Sequence, residues 1–318
     1  MKNIKGKIYL LLAFSLAGTS VITGYILSEK LRNFTVTAVS LGIMLLCLSP
    51  FYYRKTVTTI HLLKKNDWKM LILQALFGIF LFRTFLLLGV GLTSTVEAGI
   101  LTGTTPAITS ILAFFVLREK LTGWATLGII CSVLGIVLLQ KVNLSSVQFS
   151  TQHIGGNVLI LCAAASESIF NIISRRHRAK KQYDTDIQIH PMVQTLLVSA
   201  IAFALSIIPA FGEQSFAALQ MIGLKEWFAL VWYGLIVTAL AFVFFYAGIK
   251  RCDVYTAAAF SGMIPLTSML LSLVLLKETI SYAQWGGGFL IILSMLLIGR
   301  KQGPKEEKAV AASPIYNK

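Results

Sequence analysis

Three ionisable residues, Glu167, Arg83 and Glu97, place ionic chemistry where hydrocarbon is expected. Glu167 lies in CAAASESIF, inside a long apolar run and eight residues from the basic cluster opening at Arg175, or about 12 Å at a helical rise of about 1.5 Å per residue. A charge at mid-bilayer costs roughly 2.5–3.5 kcal/mol, so such a residue is a functional candidate. A carboxyl there can face a cavity, hold a cationic group, and take up or release a proton; it can equally form a helix-to-helix hydrogen bond as the neutral acid. Asn171 follows at i+4, on the same helical face. Arg83 sits within a second run, and Glu97 opens the next one after the short GLTST connection. Two arrangements fit: a buried Arg83–Glu97 pair, or Arg83 clamping a substrate carboxylate while Glu167 holds its amine, as an amino acid requires.

The elements that carry these residues are membrane spans. Hydrophobic residues make up 56% of the 318 and charged residues only 13%, against about 25% charged in soluble domains. Ten apolar runs are read as helices, at 8–27, 34–53, 69–90, 95–117, 123–141, 155–174, 190–211, 227–248, 254–276 and 282–300. Most are long enough to cross roughly 30 Å of hydrocarbon. Hydrophobicity is continuous rather than alternating, so no strand competes. The N-terminal apolar run is too long for a signal peptide and is read as a retained first span. The polar tail, 301–318, is expected to be disordered and cytoplasmic.

The net charge of +15 is topological. With the N-terminus inside, 22 of the 28 Lys and Arg residues fall in inner segments, five in outer loops, and Arg83 within a span. The positive-inside rule therefore puts both termini in the cytoplasm. Short basic clusters between apolar runs are no phosphate-binding face, so no nucleic-acid partner is expected. Cys47, Cys131, Cys162 and Cys252 are scattered, without metal-ligand spacing to any His. No phosphate loop, nucleophile elbow or zinc-protease motif appears. Neither cofactor, metal nor catalysis is expected.

The chain also repeats itself. GTTPAITSILAFFVLREKL at 103–121 returns as GMIPLTSMLLSLVLLKETI at 262–280, so that Pro106 and Glu119 recur as Pro265 and Glu278, each 159 residues on. Trp68, Pro50, Gly89 and Gly128 recur as Trp227, Pro209, Gly248 and Gly287 in the same register. Two five-span units follow, 1–145 and 146–300. Because five is odd, the second unit must be inverted in the membrane, an arrangement in which carriers bind cargo near the midplane at the repeat interface.

Within each unit the fourth span carries a mid-helix proline. Pro106 and Pro265 each free a carbonyl one turn earlier, and in lipid that group needs water or a hydroxyl. Thr102, Thr104, Thr105 and Thr109 surround the first; Ser261, Thr267 and Ser268 the second. Kinks that only shape helix packing remain the plainer alternative. Arg118-Glu119 and Lys277-Glu278 sit at a helix-to-helix turn, with the acids expected near the start of the next span and Thr122 or Ser281 capping it. Gly99-x-x-x-Gly103 is a close-packing motif. Phe85, Trp232, Tyr233, Phe242 and Tyr246 could line an apolar pocket.

A five-span unit used twice, with Pro106 before Leu117-Arg118-Glu119 and Pro265 before Leu276-Lys277-Glu278, resembles the EamA family of the drug/metabolite transporter superfamily over residues 8–300. The resemblance implies an all-α membrane protein of ten transmembrane helices, two inverted five-helix repeats around a central cavity walled by spans 1, 3, 4, 6, 8 and 9. It implies export of an amino acid, related metabolite or drug across a bacterial inner membrane, as a facilitator or proton-coupled exchanger. The site residues expected on this reading are Glu167, Arg83, Asn171, Thr105, Pro106, Tyr246 and Pro265, with Glu167 also the proton carrier. The expected partners are a small-molecule substrate and the lipid bilayer, the chain acting as monomer or weak homodimer. A sensor or scaffold on a carrier fold is the alternative.

Overall fold

The computed structural model describes residues 2–117, 123–139, 151–183, 189–213, 215–252, 257, 260–278 and 280–298. Among them every regular element is a helix. In chain order these are α1 (Lys2–Ser28), α2 (Asn33–Leu62), α3 (Lys65–Val90), α4 (Thr95–Thr102), α5 (Thr105–Leu117), α6 (Gly123–Leu139) and α7 (Thr151–Tyr183). They continue with α8 (Pro191–Phe211), the short α9 (Ser215–Gln220), α10 (Leu224–Ile249), α11 (Met263–Leu276) and α12 (Tyr282–Ile298). Among the described residues, seven helical stretches are long and apolar enough to cross a membrane, counting α4 and α5 as one, while α6, α11 and α12 offer shorter apolar helices. Helices overlap the expected runs among the described residues, those seven stretches reaching spanning length, and the bounds shift. α2 continues to Leu62 through Pro50 rather than ending near 53, and α7 continues to Tyr183 rather than stopping near 174. The expected tail, the 118–122 turn with Glu119 and Thr122, and most of the 253–259 segment lie outside the described residues.

Two kinds of irregularity were not anticipated. α3, α10 and α11 each contain a π-helical segment, Leu76–Leu81, Trp232–Leu240 and Ser272–Leu276. And the fourth run is broken rather than kinked: α4 stops at Thr102, Gly103 and Thr104 form a turn, and α5 restarts immediately before Pro106.

Packing groups α1, α3, α4, α7, α10 and α11 toward the middle, with the α2–α8 and α6–α12 pairs against them. Close approach depends on small residues. A Cβ on Gly99 of α4 would fall on the Ser268 hydroxyl of α11. Gly78 of α3 lies against the Phe170 ring of α7, and Gly89 against Ile160 and the Gly156 carbonyl. Gly99→Ala is expected to overpack the α4–α11 contact by about 1–3 kcal/mol, and Ser268→Ala in the same chain should restore part of it. The melting midpoint of purified protein in detergent checks both.

At the end the charge bias assigns to the outside, carboxylates hold helix starts. Both oxygens of Glu213 accept from the beginning of α2, with Oε2 2.8 Å from Thr35 N and 2.8 Å from Thr35 Oγ1. Glu278 does not serve the following span, as expected, but reaches across to α4, where its Oε1 accepts from Thr95 Oγ1 at 2.6 Å and its Oε2 from Val96 N at 3.3 Å. The reason is geometric. Lys277 adopts a left-handed conformation (φ 55°) that ends α11, and the next helix start is already capped by Ser281, whose Oγ accepts from Gln284 N at 3.3 Å. The free N–H groups of α4 and its positive dipole end supply the partner instead. Glu278→Ala is expected to lower stability by about 1 kcal/mol, the worth of a lost cap, read as a fall in melting midpoint that Glu278→Gln partly avoids.

Candidate functional site

Pro106 organises the first half of the site. It has no N–H, so the Thr102 carbonyl four residues earlier loses its helical donor. Hydroxyls fill in along the break: Thr105 Oγ1 donates to Thr102 O (2.8 Å), Thr102 Oγ1 to Gly99 O (2.6 Å) and Thr104 Oγ1 to Leu101 O (2.8 Å). This is the expected hydroxyl rescue, with one exception. Thr109 Oγ1 is buried without a hydrogen-bond partner among the described residues.

Helix α7 delivers Glu167 to this break. Glu167 is half-buried, and its Oε2 lies 3.0 Å from Thr105 Oγ1, while the Ser168 hydroxyl is shared between Ala164 O of its own helix (2.8 Å) and Thr105 O (3.0 Å). Glu167, Thr105 and Pro106 are thus brought together. Asn171 is half-buried a turn further along α7. Pro265 is buried in α11, where the Ser261 carbonyl four residues earlier receives a backbone donor, Ile264 N at 3.0 Å. Tyr246 is buried among rings, its centroid 6.0 Å from Phe242 and 5.8 Å from Phe245; Phe242 in turn lies 5.9 Å from Phe170 on α7.

Arg83 goes elsewhere than the Glu97 pairing expects. Only 4% of it is exposed. One terminal nitrogen donates to Ser40 Oγ of α2 at 2.9 Å, and the other bonds to Thr238 Oγ1 and points at Tyr233 O (3.4 Å), both on α10. The guanidinium carbon stands 4.1 Å from the Tyr233 ring centroid, a cation–π contact. Glu97 instead joins a polar group at the end of the bundle where α3 turns into α4. Asn157 Nδ2 donates to its Oε2 at 3.0 Å, Thr93 Oγ1 lies 3.0 Å from the same oxygen, and Gln284 Nε2 is 3.4 Å from Oε1. The expectation paired Arg83 with Glu97 because the two are joined by a short loop. The structure separates them because the Tyr233 carbonyl and Thr238, in a π-segment that loosens its own ladder, offer acceptors from across the bundle.

Arg83 and Glu167 nevertheless share a level. The Gly78–Phe170 and Gly89–Ile160 contacts run α3 and α7 antiparallel. Interpolating between them sets Arg83 opposite residues 165–166, next to Glu167. The residues that sequence reasoning missed are Ser40, Thr238 and Ser168, because each belongs to the site only through an inter-helix contact. The five aromatic candidates divide: Phe242 and Tyr246 join the Phe170 cluster, Tyr233 carries Arg83, Phe85 packs on the main apolar core, and Trp232 donates from Nε1 to Thr19 Oγ1 at 3.0 Å.

A bundle of long apolar helices, with buried ionisable groups drawn to broken or π-helical backbone, defines a multi-pass membrane protein. Comparison with known proteins makes this particular. The profile of the EamA-like transporter family matches twice, at residues 4–140 and 154–300. The chain belongs to the EamA-like transporter family. It is 27% identical over 310 residues to the uncharacterized transporter YetK of Bacillus subtilis strain 168, covering 95% of this chain and 89% of that protein. It is 24% identical over 253 residues to the uncharacterized transporter YyaM of the same strain, covering 78% and 80%. A solved crystal structure superposes with a TM-score of 0.59 at 20% identity, covering 93% of this chain and 95% of that one, which bears on fold alone.

Proposed function

We propose that this transporter is a secondary carrier that exports a small metabolite, an amino acid or related compound, or a drug, across a bacterial inner membrane by alternating access. Ten helices form two inverted five-helix units, 1–145 and 146–300, around a central cavity, with both termini cytoplasmic. The double match of the family profile supports the two units, and the 22-to-5 charge bias supports the orientation. The observation that carries the reading is that a buried guanidinium, Arg83, and a carboxyl, Glu167, stand at one level on neighbouring antiparallel helices. Arg83 takes the acidic group of the cargo and Glu167 its amine, with Asn171, Thr105, Pro106, Tyr246 and Pro265 around them. Glu167 exchanges a proton when no cargo holds it.

The test uses proteoliposomes loaded with a panel of labelled amino acids and related amines and acids. Saturable counterflow of at least one of them is the expected result. A protein that folds, reconstitutes and moves none of the panel, in a strain whose resistance and growth are also unaltered by overproduction, overturns the carrier reading in favour of a sensor or scaffold.

A further inference from the structure

We propose that the Thr105 hydroxyl reads the protonation state of Glu167 and transmits it to the helix break before Pro106. This rests on the carrier reading and deepens its proton exchange.

Thr105 Oγ1 has one proton and two acceptors within reach, Thr102 O at 2.8 Å and Glu167 Oε2 at 3.0 Å. Both contacts are hydrogen bonds only when Glu167 is the neutral acid. Its O–H then donates to Thr105 Oγ1, and Thr105 donates onward to Thr102 O. When Glu167 gives up its proton, it can only accept, and a charge-assisted bond is roughly twice as strong as a neutral one. The Thr105 proton turns to the carboxylate, and Thr102 O loses its donor. That carbonyl has no helical replacement, because the N–H that would meet it belongs to a proline. A buried carbonyl without a donor is costly in hydrocarbon, so the break must loosen or admit water. The only covalent change is the O–H bond of the Glu167 carboxyl, whose proton comes from and returns to water.

The second half lacks this device. At position 264, 159 residues after Thr105, stands Ile264, and its backbone N–H, not a side chain, meets the carbonyl orphaned by Pro265. The helix that leans on it contributes Gly18, whose missing Cβ would fall 2.7 Å from Ile264 O. The first half is therefore built differently at the one place where its break touches a titratable group.

Other titratable groups on the elements around α7 are accounted for. Arg83 on α3 is turned to Ser40 and Thr238, and Lys65, Asp67 and Lys69 sit at the far end of α3. Glu97 on α4 is bound to Asn157, ten residues from Glu167 or about 15 Å along α7. Described segments of α5 carry no ionisable side chain; α7 itself carries half-buried Cys162, with His153 near its start and a basic run opening at Arg175, eight residues or about 12 Å along it; and α10 contributes Tyr233 and Tyr246, with Lys225 and Glu226 at its start.

The test is hydrogen–deuterium exchange of the full-length protein in nanodiscs, followed in the peptide spanning 99–113 and corrected for the intrinsic pH dependence of exchange. Wild type should exchange several-fold faster in mildly alkaline than in mildly acidic buffer. Glu167→Gln should be slow in both. Thr105→Val and Thr105→Ala should lose the difference, and Thr105→Ser should restore it. A Thr105→Val or Thr105→Ala protein that keeps the wild-type difference overturns the proposal, as does a wild type that shows none. Net efflux measured on the same preparations keeps the two ideas apart: pH-dependent net efflux that survives in Thr105→Val sinks the relay alone, whereas pH-independent wild-type net efflux sinks proton exchange itself.

Discussion

Glu167→Gln is expected to transport at a rate that no longer changes with external pH, while the wild-type protein exports faster into a more acidic medium. The sign follows from the cycle. After cargo leaves outward, the carboxylate must be neutralised before the empty site returns, and external protons do this more readily at lower pH. Glutamine keeps the acceptor oxygen that faces Thr105 Oγ1 at 3.0 Å and nearly the same volume, so the fold should survive. What it loses is the ability to carry charge. A cationic cargo should then bind more weakly, because a charge-assisted hydrogen bond of about 1.5–3 kcal/mol becomes a neutral one of about 1 kcal/mol. Rates in proteoliposomes at fixed internal pH and varied external pH decide the matter. An unchanged pH profile in the mutant would remove Glu167 from coupling.

The second large effect is expected at Arg83. Lysine keeps the charge but not the planar fork. Three polar contacts now converge on the guanidinium from α2 and α10, and the Tyr233 ring lies beneath it. An ammonium on a flexible stem can serve one of these helices well, not both together. Arg83→Lys should therefore weaken carboxylate cargo about 10- to 100-fold, equivalent to one charge-assisted bond of about 1.5–3 kcal/mol. Competition by amines lacking a carboxylate should change far less. Equal losses for both classes would mean that Arg83 braces α2 against α10 and touches no cargo.

How much of this was legible in the sequence depends on distance along the chain. The spans were legible because twenty consecutive apolar residues have few other uses. Hydroxyl rescue around Pro106 was legible for the same local reason: the orphaned carbonyl at Thr102 and the donor at Thr105 are three residues apart. Glu278 was half legible. Its type and place near a helix end announced a cap, but which helix it caps depends on the left-handed turn at Lys277 and on α4 lying alongside. The Arg83–Glu97 expectation failed because loop length was taken as a measure of nearness, whereas Ser40 and Thr238, 43 and 155 residues away, are what the side chain meets. No pattern of hydrophobicity encodes such pairs.

The π-helical stretch Leu76–Leu81 also fixes how many residues α3 can hold before Arg83. Each wide turn accommodates more residues than the 3.6 of an ordinary turn, so the stripes of side chains before and after it are out of phase. The stretch already holds one residue more than an ordinary helix would, so adding another would swing everything beyond it by about 100°. Arg83 would then point away from α10 although no contact residue had been touched. Length within this stretch, and not only composition, is thus under constraint in this chain.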